Sequence, residues 1–512
     1  MPLPLRPDIL PGKACDRNPK TERRKTVNIC FMCDLHLPFD ETAIYYDVLD
    51  WAIAEIKEQK PDCIIFAGDV TCDGNIGVYR AFIEKMNGIS IPFLYIPGNS
   101  DLRNPESRDE IKSMASPCVN VINGVKIFAV NDSDGTISDE TYALLEQADE
   151  NSIVFMHHPI KWLAPEELDK KKSWRCAHPE PMLFYGHLHL FEQMGNDVSL
   201  QAMDPDKAIG ECPCITFYNT ETKSLEKAYF ACPMPEDFGE YLGISCYGIE
   251  EQFSFAIEQG VRCVELRSNC VNFDAERLFE LVDAWRKNGG KSLSIHLPNF
   301  IGYEDGKVVE SSDLDSVLEV AERIGADRLN QHAPSVPMGV VKAHPEAIAE
   351  IAAHLGKKLN QLSRTVTIGV ENMHMNPGAP ADDTRYFGFL PEECLQFMHL
   401  LDKNCKHCVG INLDIGHARN NIPFSQTYQV GTWYAQVGKH IVSYHMHQVL
   451  EENGTFENHM AITEPYGRLI SYASFFHCWE NGKINKAPIV LEMRPKDAYE
   501  TTLKTFGRFR EK

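Results

Sequence analysis

Short apolar runs alternate along the chain with longer stretches of helical periodicity. In Thr26–His36, Val27, Ile29 and Phe31 alternate with less apolar positions, the spacing of a strand. Between Glu41 and Gln59, Leu49, Ala52, Ile53 and Ile56 recur at helical spacing. Apolar runs of strand length follow at Cys63–Phe66, Phe93–Ile96, Ile153–Met156 and Met182–Tyr185. Ile215–Tyr218 and Leu225–Phe230, split by Asn219–Thr222, predict a closing hairpin.

In this half, buried strands end in glycine or proline followed by a side chain able to bind a metal. The endings are Asp34-Leu35-His36, Gly68-Asp69, Gly98-Asn99-Ser100-Asp101, His157-His158-Pro159 and Gly186-His187-Leu188-His189. Side chains at i and i+2 leave a strand on the same face, so Asp34 and His36 are expected to reach one point. Carboxylates and imidazoles sharing a point suit a divalent cation. Glycine permits the tight turn and the close approach. One such ending is an ordinary turn, whereas five in succession predict a metal site.

Ala231–Glu240 carries two prolines, a glycine and three acids, and predicts a linker, set at 233–240. Beyond it strands and helices alternate. Strands are expected at Leu242–Ser245, Cys263–Leu266, Leu293–Ile295, Arg328–Gln331, Val366–Val370, Val409–Leu413, Ile441–Tyr444 and Ile489–Leu491. Helical spacing separates them, as in Leu278, Leu281, Val282 and Trp285. Strict alternation at this length predicts an α/β chain whose second half is a (β/α)8 barrel, with its chemistry at the C-terminal strand ends. Those ends read Glu265, His296, His332, Glu371, Asp414, His445 with His447, and Glu492, nearly all metal-ligand types. Glu265 is also placed to pair with Arg267.

A length of 512 residues exceeds one ordinary core. The expected division is a lead-in over 1–25, a first domain over 26–232 and a barrel over 241–505. A net charge of −23 argues against a general affinity for nucleic-acid backbone. The 17 cysteines read as reduced thiols. Cys30 and Cys33 have zinc-knuckle spacing but fall on a strand, so they read as core. The polar N-terminus lacks an apolar signal core and no run reaches membrane length, so the expectation is a cytoplasmic protein. Oligomeric state is left open.

The first half resembles the calcineurin-like metallophosphoesterases over about 26–232, through the five endings above. The resemblance implies an αββα sandwich holding two divalent ions (Mn, Fe or Zn). Asp34, His36, Asp69 and His189 would hold one ion, and Asp69, Asn99, His157 and His187 the other, with Asp69 bridging. It implies attack of hydroxide on phosphorus with no protein nucleophile, and gives Asn99 and His157 catalytic roles. Ser100 stands where the family usually has a histidine, as a substrate contact unable to act as a general acid near neutral pH. Family members lacking that histidine favour phosphodiesters or activated leaving groups, so a small phosphodiester is expected.

The second half resembles the xylose-isomerase-like barrels over about 241–500, a superfamily that includes sugar epimerases and endonuclease IV-type nucleases. Val370-Glu371-Asn372, Leu413–Ala418, His445-Met446-His447 and Leu491-Glu492 carry the likeness. It implies one to three divalent ions (Mn or Zn), the first on Glu371, Asp414, His447 and Glu492. His445 is the alternative to His447, and His417 touches substrate or a further metal. Glu371 and Glu492 would shuttle a proton on a sugar-like or polyol substrate. The nuclease branch would recruit His296, His332 and His459, but has Asp-x-His where this chain has Glu457-Asn458-His459. The combined expectation is a bifunctional metalloenzyme, a phosphodiesterase joined to an isomerase or epimerase, with nucleic-acid processing as the alternative.

Overall fold

The computed structural model describes residues 26–160, 165–375, 380–452, 455–494 and 497–507, so the expected lead-in lies outside the described residues. The first half contains two sheets. One runs in the order Leu225–Tyr229, Cys214–Asn219, Asn28–Met32, Cys63–Ala67, Phe93–Ile96. Its last three strands are parallel, and the expected hairpin supplies the antiparallel edge. The other runs Val119–Ile122, Val125–Ala129, Ile153–Met156, Met182–Tyr185, Asp197–Ser199, Glu192–Met194.

Strand alternation sorts the side chains into layers. Ile29, Phe31, Cys33, Cys63 and Ile65 face Ile127, Ile153, Phe155 and Phe184 between the sheets. Phe31 stacks on Phe184 with ring centroids 3.9 Å apart, an arrangement worth about 1 kcal/mol beyond its burial. The intervening residues Cys30, Met32, Ile64 and Phe66 pack outward in a cluster with the apolar faces of helices Ile44–Gln59 and Ile76–Asn87. Phe128, Val154, Met156 and Leu183 do the same with Leu145 and Trp174 on the other side. The product is a helix–sheet–sheet–helix sandwich, and Cys30 and Cys33 are core residues, both fully buried.

The second half closes into a parallel barrel of strands Leu242–Cys246, Cys263–Leu266, Ser292–His296, Arg328–His332, Thr367–Glu371, Cys408–Asp414, Ile441–Met446 and Ile489–Leu491, joined in chain order. Leu278, Leu281, Val282 and Trp285 face inward from helix Ala275–Lys287, as their spacing requires.

The stretch expected to be a linker is packed. Phe238 is fully buried against Phe475, Phe476 and Phe506, and Asp237 accepts from the Trp479 indole at 3.0 Å. Its prolines and acids sit around one apolar anchor that composition did not reveal. The halves are joined further at Asp206, whose carboxylate accepts from the Tyr45 hydroxyl, the Ser474 hydroxyl and, at 2.8 Å, the Gly431 amide. The outer core of the first sheet is continuous with that of the barrel.

Candidate functional site

All five strand endings of the sandwich converge. His36 Nε2 lies 3.1 Å from Asp69 Oδ2, and His189 Nε2 lies 3.7 Å from Asp34 Oδ1. Asp34, His36, Asp69 and His189 bring one donor atom each within 4.8 Å of the others. A second group forms beside the first. Asn99 Oδ1 is 3.0 Å from His157 Nε2 and 2.8 Å from His187 Nδ1, and His157 Nε2 is 3.5 Å from Asp69 Oδ2. Asp69 therefore touches both groups, as a bridging ligand must. His158 approaches the second group, but its Nδ1 is 2.9 Å from the Asp132 carbonyl.

The convergence of Asp34 and His36 has a different cause from the one expected. The strand ends at Met32, and Asp34 and His36 have φ of 51° and 50°. They meet through a left-handed loop, not through strand pleating. Asp69, His187 and His189 are left-handed too, at 60°, 68° and 59°. Left-handed backbone costs about 1 kcal/mol or more at a residue with a Cβ, and such strain gathers at functional sites. Five expected ligands sharing it is a signature of a built site. Glycines make the room: a Cβ at Gly98 would fall 2.2 Å from Asp69 Oδ1, and one at Gly68 2.5 Å from His157 Nδ1.

Ser100 takes a role other than the expected substrate contact. Its buried hydroxyl donates to the Thr71 carbonyl at 2.6 Å, and its amide supports Asp69 Oδ1 at 2.8 Å. Asp204 was not legible beforehand. Its Oδ2 lies 3.2 Å from His36 Nδ1, on the side of the imidazole opposite the Nε2 that faces Asp69. The alternation of Val198, Leu200 and Ala202 leads up to it, but the strand itself is short, Asp197–Ser199, and Asp204 lies beyond its end.

The barrel strand ends also converge. Glu371, Asp414, His445 and Glu492 form one donor group; His296, His332 and Glu371 form another; His417, His447 and His459 form a third. His445 Nδ1 is 2.9 Å from Glu492 Oε2 and 3.2 Å from Glu371 Oε2. It is thus His445, the expected alternative to His447, that groups with Glu371, Asp414 and Glu492. His445 joins the carboxylates, because it is the last inward-facing residue of its strand. His447, just past the strand end, turns toward His459, with ring centroids 4.4 Å apart, though it stays 3.4 Å from Asp414. Glu265 holds His445 Nε2 from behind at 2.9 Å, while Arg267 pairs more closely with Glu492, at 2.7 Å, than with Glu265, at 3.8 Å. His374, unforeseen, stands 4.7 Å from His417 ring to ring.

The buried donors fit cations. Glu371 Oε1, Asp414 Oδ2, His445 Nδ1, His447 Nε2, Glu492 Oε2 and His296 Nε2 are all buried without an aligned hydrogen bond. Leaving so many polar atoms unsatisfied costs several kcal/mol unless a ligand takes them. Burial pushes the His445 imidazole toward neutrality, but Glu371, Glu265 and Glu492 outweigh it and hold its proton tightly. Burial likewise pushes Asp69 up, and His157 and His36 overcome it to hold the carboxyl well below its ordinary range. Acids that force protons onto buried imidazoles form a seat that a divalent ion fills better than protons do.

Fold and donors define a metallophosphoesterase-type sandwich joined to a parallel barrel whose strand ends gather metal-ligand side chains. The chain belongs to the xylose isomerase-like TIM barrel family, whose model matches residues 253–509, and the calcineurin-like phosphoesterase model matches residues 27–191. The chain is similar to a 3′,5′-cyclic adenosine monophosphate phosphodiesterase of Pseudomonas aeruginosa, 25% identical over 162 residues, covering 28% of this chain and 60% of that one. It is also similar to a protein of Arcobacter nitrofigilis named a probable glycerophosphodiester phosphodiesterase, 29% identical over 126 residues, covering 22% and 46%. The chain spans about half the length of the curated relatives it matches. Among solved structures it is similar to endonuclease IV from Thermus thermophilus, at TM-score 0.37 and 13% identity over 52% of this chain and 98% of that one. A D-tagatose 3-epimerase-like protein gives TM-score 0.36 and 17% identity over 52% and 96%.

Proposed function

We propose that the chain is a two-site metalloenzyme whose sandwich hydrolyses a small phosphodiester and whose barrel acts on a related sugar-like or polyol compound. The observation that carries the first part is Asp69, in contact with both donor groups. Asp34, His36, Asp69 and His189 would hold one divalent ion, and Asp69, Asn99, His157 and His187 the other. Ions there supply Lewis acidity toward a phosphoryl oxygen and make water acidic enough to ionise near neutral pH.

The chain's own residues prepare that site. His187 is pushed down to about 3, first by burial and then by His157, so its imidazole is a neutral lone-pair donor at neutral pH. His157 Nδ1 lies 3.0 Å from the Ala67 carbonyl, which fixes its tautomer and turns Nε2 toward the site. Position 100 offers no imidazole to protonate a leaving group. That supports diesters and activated esters over simple monoesters, in line with the phosphodiesterase names of the relatives.

In the barrel, Glu371, Asp414, His445 and Glu492 would hold a cation that orients a hydroxy-carbonyl compound. Glu371 and Glu492 are the carboxylates available to move a proton. A second reading for this half, hydrolysis of a phosphate ester in the manner of the nuclease branch, is favoured by one observation. Among the described residues the barrel has three donor groups, two sharing Glu371, more than the single ion of the isomerase reading would use. Salt-dependent binding of oligonucleotides separates the readings.

The test is elemental analysis of the purified protein together with hydrolysis of paired phosphodiesters and phosphomonoesters. At least two metal ions per chain and a diester preference lost in Asp34→Ala are expected. Fewer than two ions, or hydrolysis surviving Asp34→Ala, overturns the proposal.

A further inference from the structure

Three consecutive barrel strands, Ser292–His296, Arg328–His332 and Thr367–Glu371, end in the donor group His296, His332 and Glu371. The loops that follow these strands enclose a cavity of about 1180 Å³, walled chiefly by Phe300, Tyr303, Met373, Tyr386, Phe387 and Phe389. Loops at this end of a parallel barrel carry its substrate contacts. Phe300 lies just past His296 and Met373 just past Glu371, so wall and donors share the same chain segments. His374 lines the cavity as well, with its ring centroid 4.7 Å from that of His417. His417 Nδ1 is in turn 3.6 Å from Glu371 Oε1. Cavity and donors are therefore neighbours in space as well as in the chain.

The wall is tied together by its own backbone. The Ser335 amide donates to the Ile301 carbonyl at 2.8 Å, the Phe387 amide to the Val336 carbonyl at 2.8 Å, and the Met373 amide to the Gly388 carbonyl at 2.9 Å. Gly388 has φ of 89°, and a Cβ there would fall 2.2 Å from the Ala333 Cβ, so two of the loops meet backbone to side chain. The Tyr303 hydroxyl donates to Glu350 Oε2 at 2.9 Å. Phe387 and Phe389 are buried, yet Phe300 is 40% and Tyr386 48% exposed. Exposed aromatic faces in a concave site next to polar donors are covered most favourably by an apolar face of the ligand, and a flat ring does so in offset or edge-on contact. Charge narrows the choice. The described residues lining the cavity include the acids Glu304 and Asp305 and no lysine or arginine. A phosphate or carboxylate would meet two like charges there and no cation. Pockets of about 300–1,000 Å³ hold drug-sized ligands, so one sugar alone would leave much of this space to water.

We propose that this cavity binds an uncharged aromatic ring carried by the barrel's substrate, on an arm remote from the hydroxylated end that the donors hold. The barrel then selects an aryl-bearing polyol or hydroxy-carbonyl compound over a bare sugar and over an anionic one. This rests on the reading of the barrel as a metal site for such compounds.

The test uses hydroxamates, which chelate a divalent ion as a hydroxy-carbonyl compound does, measured by calorimetry on the metal-loaded full chain in an Asp34→Ala background that takes a ligand from the sandwich site. 3-Phenylpropionohydroxamate is expected to bind at least 10-fold more tightly than acetohydroxamate. That preference should fall to less than 3-fold in Phe300→Ala and in Tyr386→Ala, whose side chains are exposed enough to be removed without unfolding the chain, and stay unchanged in Phe279→Ala, an exposed aromatic on helix Ala275–Lys287. 3-(4-Carboxyphenyl)propionohydroxamate should bind at least 5-fold more weakly than the uncharged ring, with the gap narrowed in Glu304→Gln/Asp305→Asn. Glu371→Gln should abolish binding of all three compounds. If it does, and the phenyl preference is absent or survives both wall variants, the cavity proposal is overturned while the barrel metal reading stands. A carboxylated ring bound more tightly than the plain one also overturns it. If Glu371→Gln changes nothing while the wall variants still erase the preference, the cavity holds a ring and the barrel metal reading fails.

Discussion

Asp206 provides a quantitative test of how the two halves are held together. Its carboxyl is buried, and that burial, followed by the charge of Asp204, raises its pKa from the ordinary 3.8 to about 6, against the pull of Ser474, Tyr45 and the Gly431 amide. The unfolded chain gives up this proton near pH 4, while the folded chain keeps it until about pH 6. Between those values the folded state binds more protons, so stability from this group falls as pH rises and is fully present only below pH 4. The distance between 3.8 and about 6 corresponds to about 3 kcal/mol. Asp206→Asn removes the titration but keeps an acceptor for Tyr45 and Gly431. The assay is urea unfolding of both proteins from pH 4 to pH 7. The stability of the wild type relative to the variant should decline by about 3 kcal/mol over that range and flatten above pH 7. A constant difference, or one that rises with pH, would show that Asp206 is ionised in the folded protein like any surface acid.

Asn99→Ala should abolish phosphodiester hydrolysis while shifting unfolding by less than about 1 kcal/mol, because the residue is only partly buried; retained hydrolysis would remove Asn99 from the ligand set. Glu265→Gln takes away the carboxylate behind His445 and should weaken barrel metal binding by about 10 to 100-fold in competition with a chelating dye, with sandwich metal content unchanged. Lys171→Met strands the Asp132 carboxylate, which also holds the His157 amide at 2.8 Å. It should cost about 3 to 5 kcal/mol in urea unfolding, with part recovered in Lys171→Met/Asp132→Asn. Equal stability of the single and double variants would show that the buried pair is not the source of the loss.

The sequence by itself determined the two folds and singled out most of the strand-end donors that the structure brings together. Buried strands announce themselves as apolar runs because both faces must be desolvated, and the donors follow them directly at the strand ends. All eight barrel strands and the five sandwich endings were legible for that reason. Tertiary structure alone decided what depends on distance between segments far apart in the chain. It grouped His445 with Glu371, Asp414 and Glu492 and His447 with His417 and His459, because the strand ends between the two histidines. It gave Ser100 to the Thr71 carbonyl, brought Asp204 behind His36 from far along the chain, and set Gln429 against the His36 carbonyl. Spacing along one segment fixes none of these, since it does not say which distant segment a polar side chain will meet.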